Sequence, residues 1–142
     1  MIIYKAIDYS ENLLHAVNAL LPQLTSKKAE ISAALLSDII HSQNSSLFLA
    51  KENDEILGML TLLTIHIPTG IRCIVEDVVV DAKLRGKGAG RSLMEAAIQK
   101  AKNMGCDNIN LTSSPHREAA NALYKKLGFE IRETNVYRKI LK

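Results

Sequence analysis

The sequence contains no tryptophan, and aromatic residues make up only 4% of its 142 positions. Proteins that hold single-stranded nucleic acid stack its bases on such rings, so the composition argues against that class. Charge argues the same way: 18 Lys and Arg against 15 Asp and Glu leave a formal net charge of +3, scattered along the chain instead of clustered in a basic patch. No apolar run approaches the roughly 20 residues that cross a bilayer. The opening MIIYKAIDYSEN lacks the basic start and long apolar centre of a signal peptide, and a cytoplasmic protein is expected. The two cysteines, Cys73 and Cys106, form neither a C-x-x-C pair nor a metal-ligand spacing, and they read as two reduced, buried thiols. His15, His41, His66 and His116 show no H-x-x-x-H or H-E-x-x-H spacing, so no metal is invoked. Repeats, low-complexity tracts and Pro/Gly/Ser-rich linkers are also missing. What is present is 47% hydrophobic residues in a chain long enough for one core, which predicts a single domain over residues 1–142.

Hydrophobic periodicity then orders the elements. Ile2–Ala6 reads as a strand. Ser10 sits at a helix N-cap position, and Leu13, Leu14, Val17, Leu20 and Leu21 recur at helical spacing until Pro22. A second helix is expected over Lys27–His41, with Ile31, Ala34, Leu35 and Ile39 on one face. Strands Leu47–Lys51 and Ile56–Ile65 flank the polar turn Glu52-Asn53-Asp54-Glu55, and Pro68-Thr69-Gly70 leads into a third strand, Ile71–Asp81. A glycine-rich loop, a helix over Arg91–Met104 capped by Gly105, and a strand over Asp107–Thr112 follow. Because a helix joins them, Ile71–Asp81 and Asp107–Thr112 should be parallel neighbours. Ser114-Pro115 opens a last helix that ends at Leu127 before Gly128, and short strands Phe129–Arg132 and Val136–Leu141 close the chain. The order β-α-α-β-β-β-α-β-α-β-β predicts a mixed α/β fold, a central mixed sheet flanked by helices.

The loop between the third strand and its helix carries the chemistry. Val78-Val79-Val80 is followed by Asp81-Ala82-Lys83-Leu84 and then by Arg85-Gly86-Lys87-Gly88-Ala89-Gly90-Arg91-Ser92. Glycines bring backbone close to a ligand, successive N–H groups can converge, and a helix start lies behind them: this is a phosphate nest ringed by Arg85, Lys87 and Arg91. A Walker loop needs G-x-x-x-x-G-K-[ST], but Arg91 stands five residues after Gly86. A dinucleotide fingerprint needs G-x-G-x-x-G, but Arg91 and Leu93 occupy the positions that require glycine. The pattern that fits is R-x-x-G-x-G, on Arg85, Gly88 and Gly90.

That pattern resembles motif A of the GNAT superfamily of acyl-CoA-dependent N-acetyltransferases. A second stretch, Asn121-Ala122-Leu123-Tyr124-Lys125-Lys126-Leu127-Gly128-Phe129, is similar to the family's N-A-x-x-[FY]-Y-x-x-x-G-F motif with a shorter N-A-x-Y spacing. The two span Ile71–Phe129; the first half of the chain matches only in element order. The resemblance implies a GNAT-type fold and acetyl-CoA as co-substrate. It also implies that the backbone of Arg85, Gly86, Lys87, Gly88, Ala89, Gly90, Arg91 and Ser92 holds the pyrophosphate. Val78, Val79 and Val80, with Asn121, would lie along the pantetheine arm as an added strand does. Homodimers are frequent in the superfamily, and one is expected here.

Amine acetylation needs a neutral amine, stabilisation of a developing oxyanion and a proton for the departing thiolate. Tyrosine's reference pKa near ~10 is close to that of an alkyl thiol. The resemblance makes Tyr124 the general acid and a cofactor contact; the alternative is a packing aromatic on the stripe Ala120, Tyr124, Leu127. In a regular strand, Glu76 would share a face with Ile74 and Val78, and Asp77 with Val75 and Val79, so one carboxylate would face apolar surface. A β-bulge near Asp77-Val78 would relieve this and free backbone N–H groups. The family places such an amide at the acetyl oxygen, here around Val78, and a Glu on this strand as base, here Glu76, with ordered water or a merely solvated carboxylate as alternatives. Asp77 is the weaker candidate for either role. His116, near the last helix, could line an acceptor pocket. The expected acceptor is a small-molecule primary amine. A protein or peptide amine, and a non-catalytic acyl-CoA-binding regulator, are the alternatives; neither nucleic acid nor a membrane is expected as partner.

Overall fold

Ser10 opens the first helix as its side chain predicts. Its hydroxyl accepts from the Leu13 backbone N–H at 3.1 Å, supplying a partner for one of the donors that a helix start leaves unpaired. The computed structural model describes residues 1–27 and 29–142. The elements run β1 (Ile2–Lys5), α1 (Glu11–Leu24), α2 (Ala33–His41), β2 (Ser45–Glu52), β3 (Glu55–Ile67), β4 (Gly70–Val80), a single 3₁₀ turn (Ala82–Leu84), α3 (Ala89–Asn103), β5 (Asn108–Asn110) and α4 (Glu118–Lys126). The chain divides into two compact units, Met1–Thr112 and Ser113–Lys142.

The first unit is a five-stranded sheet in the order β1-β2-β3-β4-β5. The first four strands pair antiparallel as a meander, and β4 pairs parallel with β5 across α3, as the helical connection predicts. Leu13, Val17 and Leu20 of α1 pack with Leu36 and Ile40 of α2 against Leu47, Leu49, Met59 and Val79 of the sheet. The stripe of α3, Leu93, Met94, Ala97 and Ala101, is likewise buried. The mixed α/β class is therefore as expected.

Several boundaries differ. Helix α1 continues through Pro22 to Leu24, because a proline in the last turn removes one hydrogen bond while Thr25 N–H still reaches Leu21 C=O at 3.2 Å. Helix α2 starts at Ala33, capped by Ser32, and not at Lys27; Lys28 lies outside the described residues. The Asn18 side chain takes both backbone groups of Ile31, which holds that residue out of a helix. The buried pair on α2 is consequently Leu36 and Ile40, while Leu35 is 53% exposed. Cys73 and Cys106 are not two free thiols: they are joined as a disulfide, with Cα atoms 6.2 Å apart, linking β4 to the turn between α3 and β5.

In the second unit α4 begins at Glu118, not at Ser114. The Ser114 carbonyl accepts from Arg117 N–H at 3.1 Å and from Asn121 Nδ2 at 3.0 Å, which forms a separate turn ahead of the helix. The helix ends as predicted. Gly128 takes φ 92°, the left-handed conformation open to a residue without Cβ, and donates to Lys125 C=O, while Phe129 N–H donates to Tyr124 C=O. These are the two bonds of a Schellman cap. The hydrophobic contact that accompanies such a cap is Phe129 edge-on to Tyr124, ring centroids 6.0 Å apart. The expected strands Phe129–Arg132 and Val136–Leu141 do not form. A strand's hydrogen bonds need a neighbouring strand, and Ile131, Val136, Tyr137, Ile140 and Leu141 are instead 72–87% exposed.

Truncating Leu93, fully buried on the inner face of α3, to alanine should cost about 2–5 kcal/mol in chemical denaturation. The same change at exposed Leu35 should stay within about 0.5 kcal/mol.

Candidate active site

Strand β4 contains the bulge its sequence parity calls for. Glu76 pairs with Thr61 and Val79 with Met59, so Leu60 alone faces both Asp77 and Val78. Asp77 takes φ 50°, a left-handed conformation that aspartate tolerates better than a β-branched residue. The extra residue switches the strand's faces. Val75 pairs with Leu62 and Val79 with Met59, and because these partners are three residues apart on β3 they point to opposite sides. Val79 thus joins the α1/α2 core, while Glu76 and Asp77 are both exposed and Val78 and Val80 half-buried. No carboxylate is forced into the core.

Asp81 anchors the turn that follows. Its N–H donates to Leu57 C=O at 2.7 Å, one carboxylate oxygen accepts from Lys83 N–H at 2.8 Å, and the other accepts from Gln23 Nε2 of α1 at 2.7 Å. Gln23 Oε1 in turn accepts from Ala82 N–H at 3.2 Å. The Lys83 backbone bond first, then Gln23, hold the Asp81 carboxyl below its ordinary pKa. Leu84 is fully buried beneath this turn. Sequence reasoning assigned no role to Asp81 or Gln23. An Asp ahead of a one-turn helix is a readable cap, whereas Gln23 lies 58 positions away and gives no local signal.

Held at that point, Arg85–Ser92 leads from the 3₁₀ turn into the first turn of α3. Gly88 is its N-cap at φ 81°, with no side-chain capping bond, and Ser92 N–H makes the first helical bond, 3.0 Å to Gly88 C=O. Helix geometry leaves the N–H groups of Ala89, Gly90 and Arg91 without an acceptor inside the helix. They point out of its positive end, an arrangement that fits a phosphate group. The basic side chains around them are engaged: Lys87 Nζ lies 3.3 Å from Glu52, Arg91 Nε 2.8 Å from Glu95, and Arg85 Nε donates to Val80 C=O at 3.3 Å.

Tyr124 and Asn121 belong to the second unit, one helical turn apart on α4. Tyr124 is 7% exposed. Burial raises its pKa above the ordinary value, with Arg117 pulling weakly the other way, so the phenol keeps its proton at neutral pH. Asn121 Nδ2 donates to Ser114 C=O at 3.0 Å and lies 3.5 Å from Pro115 C=O. His116 is exposed on the turn before α4. A concavity of about 460 Å³ along β1 and the start of α1, lined by Tyr4, Asp8, Asn12 and Lys51 among others, shares no residue with the loop.

A sequence model described as the acetyltransferase (GNAT) family matches residues 13–129. The L-2,4-diaminobutyric acid acetyltransferase of Marinococcus halophilus is 38% identical over 92 residues, covering 61% of this chain and 49% of that protein. N-alpha-acetyltransferase 30 of Schizosaccharomyces pombe is 29% identical over 100 residues, covering 70% and 66%. The chain therefore spans less than two thirds of the length of these curated relatives. Among solved structures, a Trypanosoma brucei acetyltransferase superposes with a TM-score of 0.78 at 25% identity, covering 98% of this chain and 99% of that one.

The bulge makes a direct prediction. Asp77→Gly should match or exceed the wild type in denaturation midpoint, whereas Asp77→Val, with a β-branched side chain at positive φ, should lose roughly 1–3 kcal/mol.

Proposed function

From the premise that this chain belongs to the acetyltransferase (GNAT) family, we propose that it moves an acetyl group from acetyl-CoA to a primary amine, both units serving one transferase domain. One observation carries this reading: a bulged strand leads within twelve residues of Asp77 into a helix start, at Ala89, whose backbone N–H groups fit a phosphate. Acetyl-CoA supplies an activated acyl group and a polyanionic handle. The backbone of Arg85–Ser92 binds that handle, and Val78, Val79, Val80 and Asn121 hold the arm that follows it. The bulge leaves a residue outside the ladder, so a backbone N–H near Val78 is free to meet negative charge developing on the acetyl oxygen.

Glu76, exposed at the end of the bulge, removes a proton from the incoming ammonium, directly or through water. Tyr124 gives its proton to the departing thiolate. A group whose pKa lies above the ordinary tyrosine value keeps that proton ready across the physiological range. The acceptor we favour is a small-molecule amine, supported by the similarity to an L-2,4-diaminobutyric acid acetyltransferase. A peptide α-amine is the second reading, favoured by the similarity to N-alpha-acetyltransferase 30. We also propose that a second copy of the chain covers the apolar side chains left exposed between Ile131 and Leu141.

Thiol release from acetyl-CoA, followed across diamines, amino acids and peptides, tests the activity. Tyr124→Phe should lower turnover by about 10²-fold or more while the dissociation constant for acetyl-CoA changes by less than about threefold. Unchanged turnover would remove Tyr124 from the mechanism, and release with peptides alone would select the second reading. For assembly, light scattering should report a dimer that becomes a monomer in the Ile131→Asp, Ile140→Asp double variant; a monomeric wild type would refute it.

A further inference from the structure

Two carboxylates face each other at the end of the β2–β3 hairpin. Glu52 and Glu55 are register partners closing a two-residue turn, Asn53 and Asp54, whose φ values of 51° and 62° match the type of turn that best fits the strand twist. Like charges directly opposite on a ladder destabilise it, and Asp54 adds a third negative charge within the turn. The compensation comes chiefly from the 3₁₀ turn and the glycine-rich loop that follows it. Lys87 Nζ lies 3.3 Å from Glu52 Oε2 and Lys83 Nζ 3.0 Å from Glu55 Oε1. The hydrogen bond to Glu55, then its charge, raise the Lys83 pKa. The N-terminal ammonium approaches Glu52 Oε1 at 4.0 Å, and Lys51 approaches Asp54 at 3.7 Å.

We propose that this acidic turn is the resident counter-ion of the anion loop. Glu52 occupies Lys87 until the phosphates of the co-substrate displace it, and it thereby sets the loop's affinity. The inference rests on the proposal that the loop binds coenzyme A. The geometry suits an exchange. Lys87 is 57% and Glu52 28% exposed, so their pair is partly solvated, and a pair of that kind is weak enough for a multiply charged ligand to replace. The coupling is reciprocal: Glu52 weakens the binding of the anion, and the bound anion takes a compensating charge away from the hairpin. Because acetyl-CoA and coenzyme A carry the same phosphates, Glu52 weakens substrate and product alike. It acts on KM and product release, not on the chemical step. Glu52 is thus a positioning residue acting through Lys87.

A double-mutant cycle read by calorimetric titration with coenzyme A at low salt tests this. Glu52→Gln should bind coenzyme A roughly two- to fivefold more tightly than the wild type and lower the KM for acetyl-CoA without raising kcat. Lys87→Met should bind more weakly, and Glu52→Gln should have no further effect in that background. Structural damage to the hairpin would weaken binding instead. Unchanged or weaker binding in Glu52→Gln, or a tightening that survives in Lys87→Met, would overturn the inference. If the wild type binds no coenzyme A at all, the loop assignment itself falls and this inference with it; binding without a Glu52 effect defeats the inference alone.

Discussion

One residue too many in β4 decides how this sheet can be covered. With a regular register, Val75 and Val79 would lie on one face and the strand would carry either Glu76 or Asp77 toward apolar neighbours. By setting Asp77 and Val78 against Leu60 alone, the bulge turns the end of the strand over: Val75 stays with Leu62, and Val79 passes to Met59 and the α1/α2 core. Both carboxylates reach solvent, and Val80 delivers the chain to Asp81 at the place where β3 can receive its N–H. The aspartate at positive φ is the cost of this arrangement, and the buried residues on either side of it keep it in place.

From that point the loop is fixed at its start by the Asp81 backbone and carboxylate together. Asp81 is bonded to β3, to Lys83 and to α1 through Gln23, and Leu84 plugs the turn from below. Five residues after Leu84, α3 begins with no side-chain cap. An N-cap aspartate or serine would have satisfied the first N–H groups and spent them. Glycine leaves them unpaired and lets the backbone take the left-handed cap conformation, so a stable helix retains a local deficit of acceptors at one end.

Much of this was legible in the sequence because the signals are local. Ser10 caps α1, Gly105 and Gly128 close α3 and α4, and the clash of Glu76 and Asp77 with strand parity located the bulge to the residue pair where it occurs. What the sequence hid depends on partners far along the chain. Asn18 reaches Ile31 and shortens α2; Gln23 reaches Asp81; Cys73 meets Cys106 only because β4 and β5 become neighbours across α3. The alternation in Phe129–Arg132 and Val136–Leu141 is a real strand pattern, but a pattern fixes which residues share a face and cannot supply the strand that completes the hydrogen bonds. The roles proposed for Asn121 and Tyr124 rest on resemblance of the motif, whereas the Tyr124–Phe129 contact follows from the Schellman cap at Gly128.

The two kinds of positive charge at the loop differ in how firmly they are held, and this bears on what the loop can do. Backbone N–H groups at the α3 start are fixed by the helix and cannot turn away, so they present the same field whether or not a ligand is present. Lysine side chains are mobile and partly solvated, and here Lys83 and Lys87 are both given to carboxylates of the β2–β3 turn. A loop that kept its lysines free would bind any anion tightly, including the spent product. A loop whose lysines are shared relies on its amides for recognition and releases its ligand more readily. That division suits the proposed acetyl transfer, in which substrate and product would carry the same phosphate handle, because turnover requires the handle to leave as easily as it arrives.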